Sequence, residues 1–334
     1  MSAATAPVEA RRAGPADLLG LAARRNAWTL GLVGFLALLL VYTKLIQPRY
    51  GVTGIQGLAI SVLPLALAAV AQAIVVIAGG IDLSIGSMMA LINVVAAVLM
   101  NGQSEEFGVA VVLGVLLLGV ALGAVNGSLV VLTRVPDIVV TLAMSFVWAG
   151  CALLVLPTPG GGSATWLMNL VNGSFGNEWI PQAAVVLVAI VAVIWIPVRR
   201  SRMGLSIYAI GSNRLAAFRS GVSVGRTKVL AYALMGLFSA LAGLSLTAST
   251  GIGTPVPGPY TLLSVAAVVL GGVSLAGGRG GVFGPIVGVM ILQLIRTDMT
   301  FLNVDTNLAT VLQGIILIGV VMIGSLVQIR RARA

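Results

Sequence analysis

The chain has no histidine, one cysteine and two lysines, and charged residues make up only 8% of its 334 positions. Without histidine, a Ser-His-Asp triad is impossible, and the commonest metal ligand and neutral-pH proton carrier is missing. Cys151 lies in an apolar run, cannot form an intramolecular disulfide, and is expected to be a packing thiol. Neither Lys44 nor Lys228 stands in the Gly-Lys-Ser/Thr context of a phosphate-binding loop. We therefore predict no catalytic residue, no metal site and no cofactor bound by this chain itself.

Charge is also too scarce for a water-facing surface, because soluble domains carry roughly a quarter charged residues. Hydrophobic residues make up 59% of the chain and recur from end to end. The formal charge of +10 does not predict nucleic-acid binding, because the arginines fall in short segments between apolar runs rather than on one basic face. These features indicate a single membrane domain.

Apolar runs of the length needed to cross a bilayer, about 20 residues, divide the chain into transmembrane segments. The expected spans are roughly 28–46, 57–78, 82–100, 108–133, 138–156, 182–198, 228–249, 260–276, 282–296 and 307–328. The first is predicted to be retained rather than cleaved, because the apolar core of a signal peptide is shorter. Ten crossings are expected, and eight are the alternative if two short glycine-rich runs are re-entrant.

The distribution of basic residues supports an even number of crossings with both termini in the cytoplasm. Sixteen of the nineteen basic residues fall in the predicted cytoplasmic segments, and only Lys44, Arg49 and Arg296 fall outside. Such a bias sets the orientation of membrane proteins. We expect an all-α multi-pass protein with a cytoplasmic segment 1–27, a transmembrane domain 28–328 and a cytoplasmic tail 329–334. The longest cytoplasmic connection within it is expected at 199–227.

Two glycine-rich breaks interrupt the apolar runs, at 75–84 (VVIAGGIDLS) and 268–275 (VVLGGVSL). Both fall on the same predicted side, so an inverted repeat would not pair them, and their likeness indicates a local feature only. Charge within a membrane suggests function, which makes Asp82 the strongest candidate. Asp82 or Ser84 is predicted either to cap the helix that follows, the alternative we favour, or to contact a substrate.

A second cluster, 206–228, is the longest polar stretch on the predicted cytoplasmic side. Asn213 can cap a short helix and Gly221 can end it. A short helix with alanine, phenylalanine and arginine could insert into the groove of a partner, or the stretch could be an ordinary basic loop.

Small and polar residues within the spans are expected to serve packing first. Gly114, Gly119 and Gly123 follow helical spacing and predict a close helix contact. Polar side chains could hydrogen-bond a sugar or tie helix to helix, and the sequence does not choose between these roles; they are Gln72, Asn93, Asn126, Thr141 and Ser145.

Five motifs together resemble the permease subunits of bacterial ribose-type ABC sugar importers. In order, the motifs are 79–87 (GGIDLSIGS), 123–127 (GAVNG), 134–142 (RVPDIVVTL), 208–221 (YAIGSN, then Ala216, Ala217 and Gly221) and 269–280 (VLGGVSL, then GGRG). The first motif is highly specific, and the set covers roughly residues 55–325.

The resemblance implies a bacterial inner-membrane permease that works as a pair with a second copy or a paralogue. It also implies two ATPase subunits, which bind ATP and magnesium, and a periplasmic sugar-binding protein. Segment 211–222 would be the coupling helix in the ATPase cleft, with contacts from Gly211, Ser212, Asn213, Arg214, Ala216, Ala217, Arg219 and Gly221. Candidates for the helix breaks and the translocation path are Gly79, Gly80, Asp82, Ser84, Asn126, Gly271 and Gly272.

Two positions depart from the family pattern, which usually has acidic residues at 215 and near 262, where this chain has Leu215 and Leu262. The particular sugar, and the choice between a homodimer and a heterodimer, therefore stay open. A secondary transporter driven by an ion gradient is the alternative function. Such carriers usually need intramembrane acids, and here only Asp82 and Asp137 are candidates.

Overall fold

The computed structural model describes residues 27–305 except 257, and positions 308, 311, 312, 314, 315, 318, 319 and 322. Most of the described residues are helical. In chain order the elements are α1 (Ala27–Ile46), α2 (Val52–Ile77), α3 (Ile85–Met100), α4 (Glu105–Thr133), α5 (Asp137–Val155), α6 (Thr165–Val171), β1 (Ser174–Phe175), β2 (Asn177–Pro181), α7 (Gln182–Arg200, with a π-helical turn at Val191–Trp195), α8 (Arg202–Ser212), α9 (Arg214–Arg219), α10 (Val224–Thr250), α11 (Tyr260–Leu270) and α12 (Phe283–Phe301).

Each of the nine spans predicted before residue 300 coincides with a helix, whereas 307–328 lies largely outside the described residues. Six helices, α1, α2, α4, α5, α7 and α10, are long and apolar enough to cross a membrane, and α3 and α11 are shorter apolar helices. The chain is thus a multi-pass membrane protein. The terminal segments 1–26 and 329–334 lie outside the described residues, and the count of ten crossings stays a prediction.

Two predicted spans are shorter in the structure because non-helical backbone next to the glycine-rich breaks replaces their helical ends. The span predicted at 82–100 begins only at Ile85, and the one predicted at 260–276 ends at Leu270. The expectation of an all-α protein also needs a small correction. β1 and β2 form an antiparallel hairpin, and β2 packs against α2.

The centre of the bundle is α2, whose residues from Val62 to Ile77 are all buried. It packs against α10, α11 and α12, and α10 in turn packs against α3 and α4. By contrast, little of α1, α5 or α7 is buried inside the chain. These three helices therefore offer their apolar side chains to lipid or to a partner.

Small residues allow the close approach of α4 and α10, as predicted for Gly119 and Gly123. A Cβ at Gly119 would clash with the Gly236 carbonyl, and one at Gly123 with the Tyr232 carbonyl. The prediction was wrong for Gly114, where a Cβ would meet no atom within 4 Å. Close backbone approach is a usual source of helix association in lipid, where the hydrophobic effect does not drive it.

The first residues after α10 are non-helical and are bonded to other parts of the chain. Gly253 pairs with Gly160 through backbone hydrogen bonds of 2.7 and 3.0 Å. The Asn93 side chain accepts from Thr254 N–H at 2.6 Å and donates to Ile252 O at 3.2 Å. Non-helical backbone at membrane depth requires such internal partners, so Asn93 ties α3 to this segment.

Candidate functional site

The end of α2 is a glycine-capped break. Gly79 has φ of 78°, which is the left-handed region that glycine adopts without strain. Its N–H bonds to Val76 O at 2.9 Å, and Gly80 N–H bonds to Val75 O at 3.0 Å. This pair of bonds is the Schellman arrangement that ends helices. The chain then turns back toward the interior of the bundle.

Asp82 lies inside this turn at 0% exposure. Its Oδ1 accepts from Ser84 N–H at 2.6 Å and from Ser84 Oγ at 2.7 Å. From α4, Asn126 Nδ2 donates to Ser84 Oγ at 2.7 Å and approaches Asp82 Oδ2 at 3.4 Å, and Trp148 Nε1 of α5 donates to Asn126 Oδ1 at 3.2 Å. We call Asp82, Ser84 and Asn126 the central polar network; it joins the α2–α3 break to α4 and α5.

The helix-capping role expected of Asp82 is taken by another residue. Ser84 stands at the N-cap of α3 without a side-chain capping bond. The N–H of Gly86, in the first turn, instead donates to Thr261 Oγ1 of α11 at 3.0 Å. Asp82 therefore fixes the loop that precedes the helix, while the cap comes from a residue 175 positions away.

A buried ion pair stands at the start of α5. Lys228 Nζ donates to Asp137 Oδ1 at 2.7 Å, and Tyr232 OH donates to Asp137 Oδ2 at 2.8 Å. Lys228 is 3% exposed. A Cβ at Gly80 would clash with Asp137 Oδ2, so the second glycine of the break makes room for this carboxylate. We call Asp137, Lys228 and Tyr232 the ion-pair cluster.

Sequence reasoning missed this cluster, although a signal was present. Lys228 and Tyr232 are four residues apart and share one face of α10. A carboxylate at the first position of a helix also benefits from the helix dipole. What the sequence did not contain was the distance between the two helices in space.

The second break repeats the first in its backbone. Gly272 has φ of 77°, its N–H bonds to Val269 O at 3.0 Å, and Val273 N–H bonds to Val268 O at 3.1 Å. The likeness noticed in the sequence is therefore a shared Schellman ending. Gly271 and Gly272 do not join the central polar network, however, because Cβ atoms there would meet Pro285 and Trp28 respectively.

The polar cluster at 206–228 is mostly helical. Asn213 caps α9 as predicted, with Oδ1 accepting from Ala216 N–H at 2.9 Å. Gly221, with φ of 84°, ends α9 through bonds from Gly221 N–H to Phe218 O and from Val222 N–H to Ala217 O, both 3.0 Å. The short helix covers Arg214–Arg219, whereas the expected coupling helix was 211–222, and Gly211 and Ser212 belong to the end of α8.

Exposure differs sharply around α9. Ala217 is buried, whereas Leu215 and Phe218 are 58% and 67% exposed. Arg214, Ala216 and Arg219 are exposed as well. Leu215 and Phe218 are three residues apart, and no other part of the described chain covers them. Such an exposed apolar pair on a helix is a suitable binding surface for another protein.

The end of α2 and the loop after the second break meet the end of α8 at glycines. Gly278 N–H donates to Ile77 O at 2.9 Å, and a Cβ at Gly211 would clash with that same carbonyl. A Cβ at Gly277 would lie 3.0 Å from Gly79 Cα and 2.8 Å from Gly211 O. We call Gly79, Gly211, Gly277 and Gly278 the glycine junction, where the end of α8 packs on the end of α2 and on the loop between α11 and α12.

Tyr208 of α8 adds a polar link beside this junction. Its hydroxyl donates to Gly280 O at 2.9 Å. Burial raises the pKa of the Tyr208 phenol above its usual range, so the hydroxyl is neutral and able to donate at physiological pH.

The remaining polar side chains of the spans mostly tie the bundle together. Thr141 Oγ1 accepts from Leu83 N–H at 3.0 Å, and Ser145 Oγ donates to Leu142 O within its own helix at 2.6 Å. Gln72 is different. It is fully buried in α2, and neither its Nε2 nor its Oε1 has a hydrogen-bond partner among the described residues. Gln72 therefore does not tie α2 to another helix among the described residues.

Apolar helices broken at glycines, with buried polar groups at the breaks, are typical of membrane transport proteins. The chain belongs to the family described as branched-chain amino acid transport system/permease component, whose model matches residues 54–321. This finding and the relatives below confirm the resemblance to ribose-type ABC importer permeases.

Three curated relatives are similar over most of their length. The ribose import permease protein RbsC of Escherichia coli (strain K12) is 32% identical over 77% of this chain and 81% of its own. The L-arabinose ABC transporter permease protein AraH of Azospirillum brasilense is 34% identical over 86% and 83%. The fructose import permease protein FrcC of Rhizobium meliloti is 30% identical over 74% and 71%. No solved structure matches the chain.

Proposed function

We propose that the chain is the membrane-spanning subunit of an ATP-driven, binding-protein-dependent importer of a monosaccharide or a related small polyol. The relatives named for ribose, L-arabinose and fructose support the substrate class. In this proposal the chain supplies the path and its conformational states, and separate ATPase subunits bind ATP and magnesium.

The observation that carries the proposal is the glycine junction. Gly211 stands one helical turn from α9 and touches the end of α2 and Gly278 of the α11–α12 loop. A displacement of α8 and α9 would therefore act on the first break, and on the loop that follows the second, without an intervening flexible side chain. Packed elements with two discrete arrangements transmit such coupling.

The partner at α9 is, in our proposal, the ATPase subunit. Leu215 and Phe218 would enter an apolar groove of that subunit, and Arg214 and Arg219 would contact its polar rim. Apolar anchors with a polar rim are the usual anatomy of a protein interface. The acidic residue that the family usually has at 215 is replaced by Leu215, so this interface would rely on packing more than on charge at that position.

The translocation path is proposed to pass the central polar network. Ser84, Asn126 and the unpaired amide of Gln72 are the groups best suited to a sugar, because hydroxyls need donors and acceptors of this kind. In the arrangement described above Asp82 is bonded within the protein, so exposure of the network would require movement at the break. Alternating access between two such states would move the solute.

Further partners and the topology complete the proposal. Ten crossings with both termini in the cytoplasm would place α8 and α9 inside the cell and segment 157–181 outside, where a loaded periplasmic binding protein would dock. A second permease subunit, identical or paralogous, would cover part of the exposed faces of α1, α5 and α7.

Uptake into proteoliposomes tests the proposal. We expect vesicles holding the permease, its ATPase and its binding protein to accumulate labelled ribose or arabinose only when ATP is supplied on the side of the ATPase. Collapse of proton and sodium gradients with ionophores should leave uptake unchanged. Uptake that follows the ion gradient and ignores ATP would favour a secondary transporter.

A further inference from the structure

A cavity of about 1440 Å³ opens at the same end of the bundle as α8 and α9, beside the glycine junction. Its walls are the first turns of α1, the last turns of α7, Tyr208 and the segment 271–284. It lies between membrane-spanning helices and is lined in part by Gly278 of the glycine junction, but the transport mechanism proposed above assigns it no ligand.

One end of the cavity is strongly basic. Arg199, Arg200 and Arg279 line it, all three are exposed, and none of the lining residues is acidic. Within residues 27–305 no carboxylate lies within ion-pair distance of these arginines. Three cations without a counter-charge would bind an anion that enters the cavity.

Much of the remaining lining is apolar and comes from two membrane-spanning helices. Leu30 and Val33 of α1 and Val191 of α7 line the cavity, as do two tryptophans, Trp28 and Trp195. Trp28 is held there by a bond from Nε1 to Leu270 O of 2.8 Å. Tryptophan at the boundary between polar and apolar zones is typical of the membrane interface.

One helix carries both kinds of lining residue. Val191 and Arg200 both line the cavity and are nine positions apart on α7. The cavity therefore combines cationic side chains with an apolar wall along the same membrane-spanning helix.

From this arrangement we propose that the cavity is a binding site for an anionic phospholipid, with its phosphate on Arg199, Arg200 and Arg279 and an acyl chain along α1 and α7. Basic pockets between transmembrane helices are known to hold lipid headgroups. A soluble partner could reach the arginines but not the apolar wall at Val33 and Val191. A free phosphate would leave that wall uncovered.

The ends of the chain are poor alternative occupants. Residues 1–26 carry four arginines and two acidic residues, and residues 323–334 carry three arginines and no acidic residue. Both segments are net positive, so neither complements three unpaired arginines. An anionic molecule from outside the chain complements the charge of the cavity better than either segment does.

Native mass spectrometry of the purified full-length protein tests the site. Added phosphatidylglycerol or cardiolipin is expected to bind well, phosphatidylethanolamine weakly, and inorganic phosphate alone not measurably. The double variant R199Q/R279Q should bind the anionic lipid about thirtyfold more weakly, because each interfacial arginine contributes about fivefold. Its matched control, R202Q/R226Q, removes two exposed arginines of the same end that do not line the cavity and should bind as the wild type does.

A second variant avoids any change of charge. A Cβ at Gly281 would meet no atom within 4 Å, so Gly281→Phe would narrow the cavity while the fold is kept, and lipid binding should fall. The inference is overturned if R199Q/R279Q and Gly281→Phe retain the lipid like the wild type, or if the control variant loses it equally. Phosphate binding without lipid binding, or loss of ATPase docking with lipid retained, would likewise overturn it.

Discussion

Lys228 Nζ donates to Asp137 Oδ1 at 2.7 Å inside the bundle. The pair joins the start of α5 to the first turns of α10, and Gly80 of the α2–α3 break packs directly on the carboxylate. Three segments far apart in the sequence are thus held at one charge pair. Its removal should affect stability as well as transport.

Removal of Lys228 alone is expected to destabilise the protein more than removal of both charges of the Asp137–Lys228 pair. Lys228→Met leaves the part-buried Asp137 carboxylate without its counter-charge and should destabilise the protein by about 1.5–3 kcal/mol. The double variant D137N/K228M should be more stable than K228M alone, because no uncompensated charge remains. Thermal unfolding in detergent measures the difference. Arg226→Met, an exposed change in the same helix, should behave like the wild type, and a double variant less stable than K228M would contradict the account.

The hydrogen bonds of the central polar network predict that the carboxylate of Asp82 and the amide of Asn126 can be exchanged between the two positions. Asp82→Asn would place an amide donor against Asn126 Nδ2, and Asn126→Asp would set two carboxylates together, so each single variant should lose about 1–3 kcal/mol of stability. In D82N/N126D the carboxylate at position 126 would accept from Ser84 Oγ, from Trp148 Nε1 and from the new amide at position 82, which restores complementary pairs. We expect transport and melting temperature to recover in the double variant.

The control for this exchange is Glu106→Gln, which neutralises an exposed acid in the first turn of α4. It should leave both readouts unchanged. If the two single variants are harmless, or if their effects simply add in the double variant, the network does not have the hydrogen bonds described here.

Some of this architecture follows from local sequence signals. The breaks at Gly79 and Gly272 and the Asn213 cap depend on residues within five positions of one another, and they were predicted correctly as interruptions and as a cap. Lys228 and Asp137 are 91 positions apart, and Thr261 lies 175 positions from Gly86. Hydropathy and capping rules contain no information on such distances.

The bounds of the membrane spans also depend partly on local sequence and partly on long-range contacts. The third span was expected to begin at 82, but Asp82 accepts from Ser84 N–H in a non-helical turn and the helix begins only at Ile85. Likewise Gly114 follows the helical spacing of Gly119 and Gly123, yet α10 does not come close to it. Helical spacing predicts which face of α4 carries small residues. Tertiary packing decides which part of that face α10 covers.

That packing difference can be tested on one helix. Gly119→Ala would force its Cβ against the Gly236 carbonyl and should destabilise the protein by about 1–3 kcal/mol through overpacking. Gly114→Ala meets open space and should be neutral or slightly stabilising, because alanine favours helix. Melting temperatures of the two variants give the comparison, and equal values would refute the close contact of α4 and α10.

The glycine junction gives a sharper prediction for transport. Gly211→Ala would press its Cβ on the Ile77 carbonyl and move α8 away from the end of α2. We expect ATP-driven uptake to fall at least tenfold in this variant, an estimate that corresponds to about 1.4 kcal/mol. Gly150→Ala, in a helical position where a Cβ meets no atom within 4 Å, is the control and should transport normally.

The most direct measurement concerns the division of labour between this chain and its partners. Solute-stimulated ATP hydrolysis would be measured for the permease alone, for the permease with its ATPase and loaded binding protein, and for the same assembly with the order of residues 214–219 scrambled. We predict no hydrolysis by the isolated chain, stimulated hydrolysis by the complete assembly, and loss of stimulation with the scrambled helix. Hydrolysis by the chain alone, or full stimulation and uptake after scrambling, would contradict the proposed coupling.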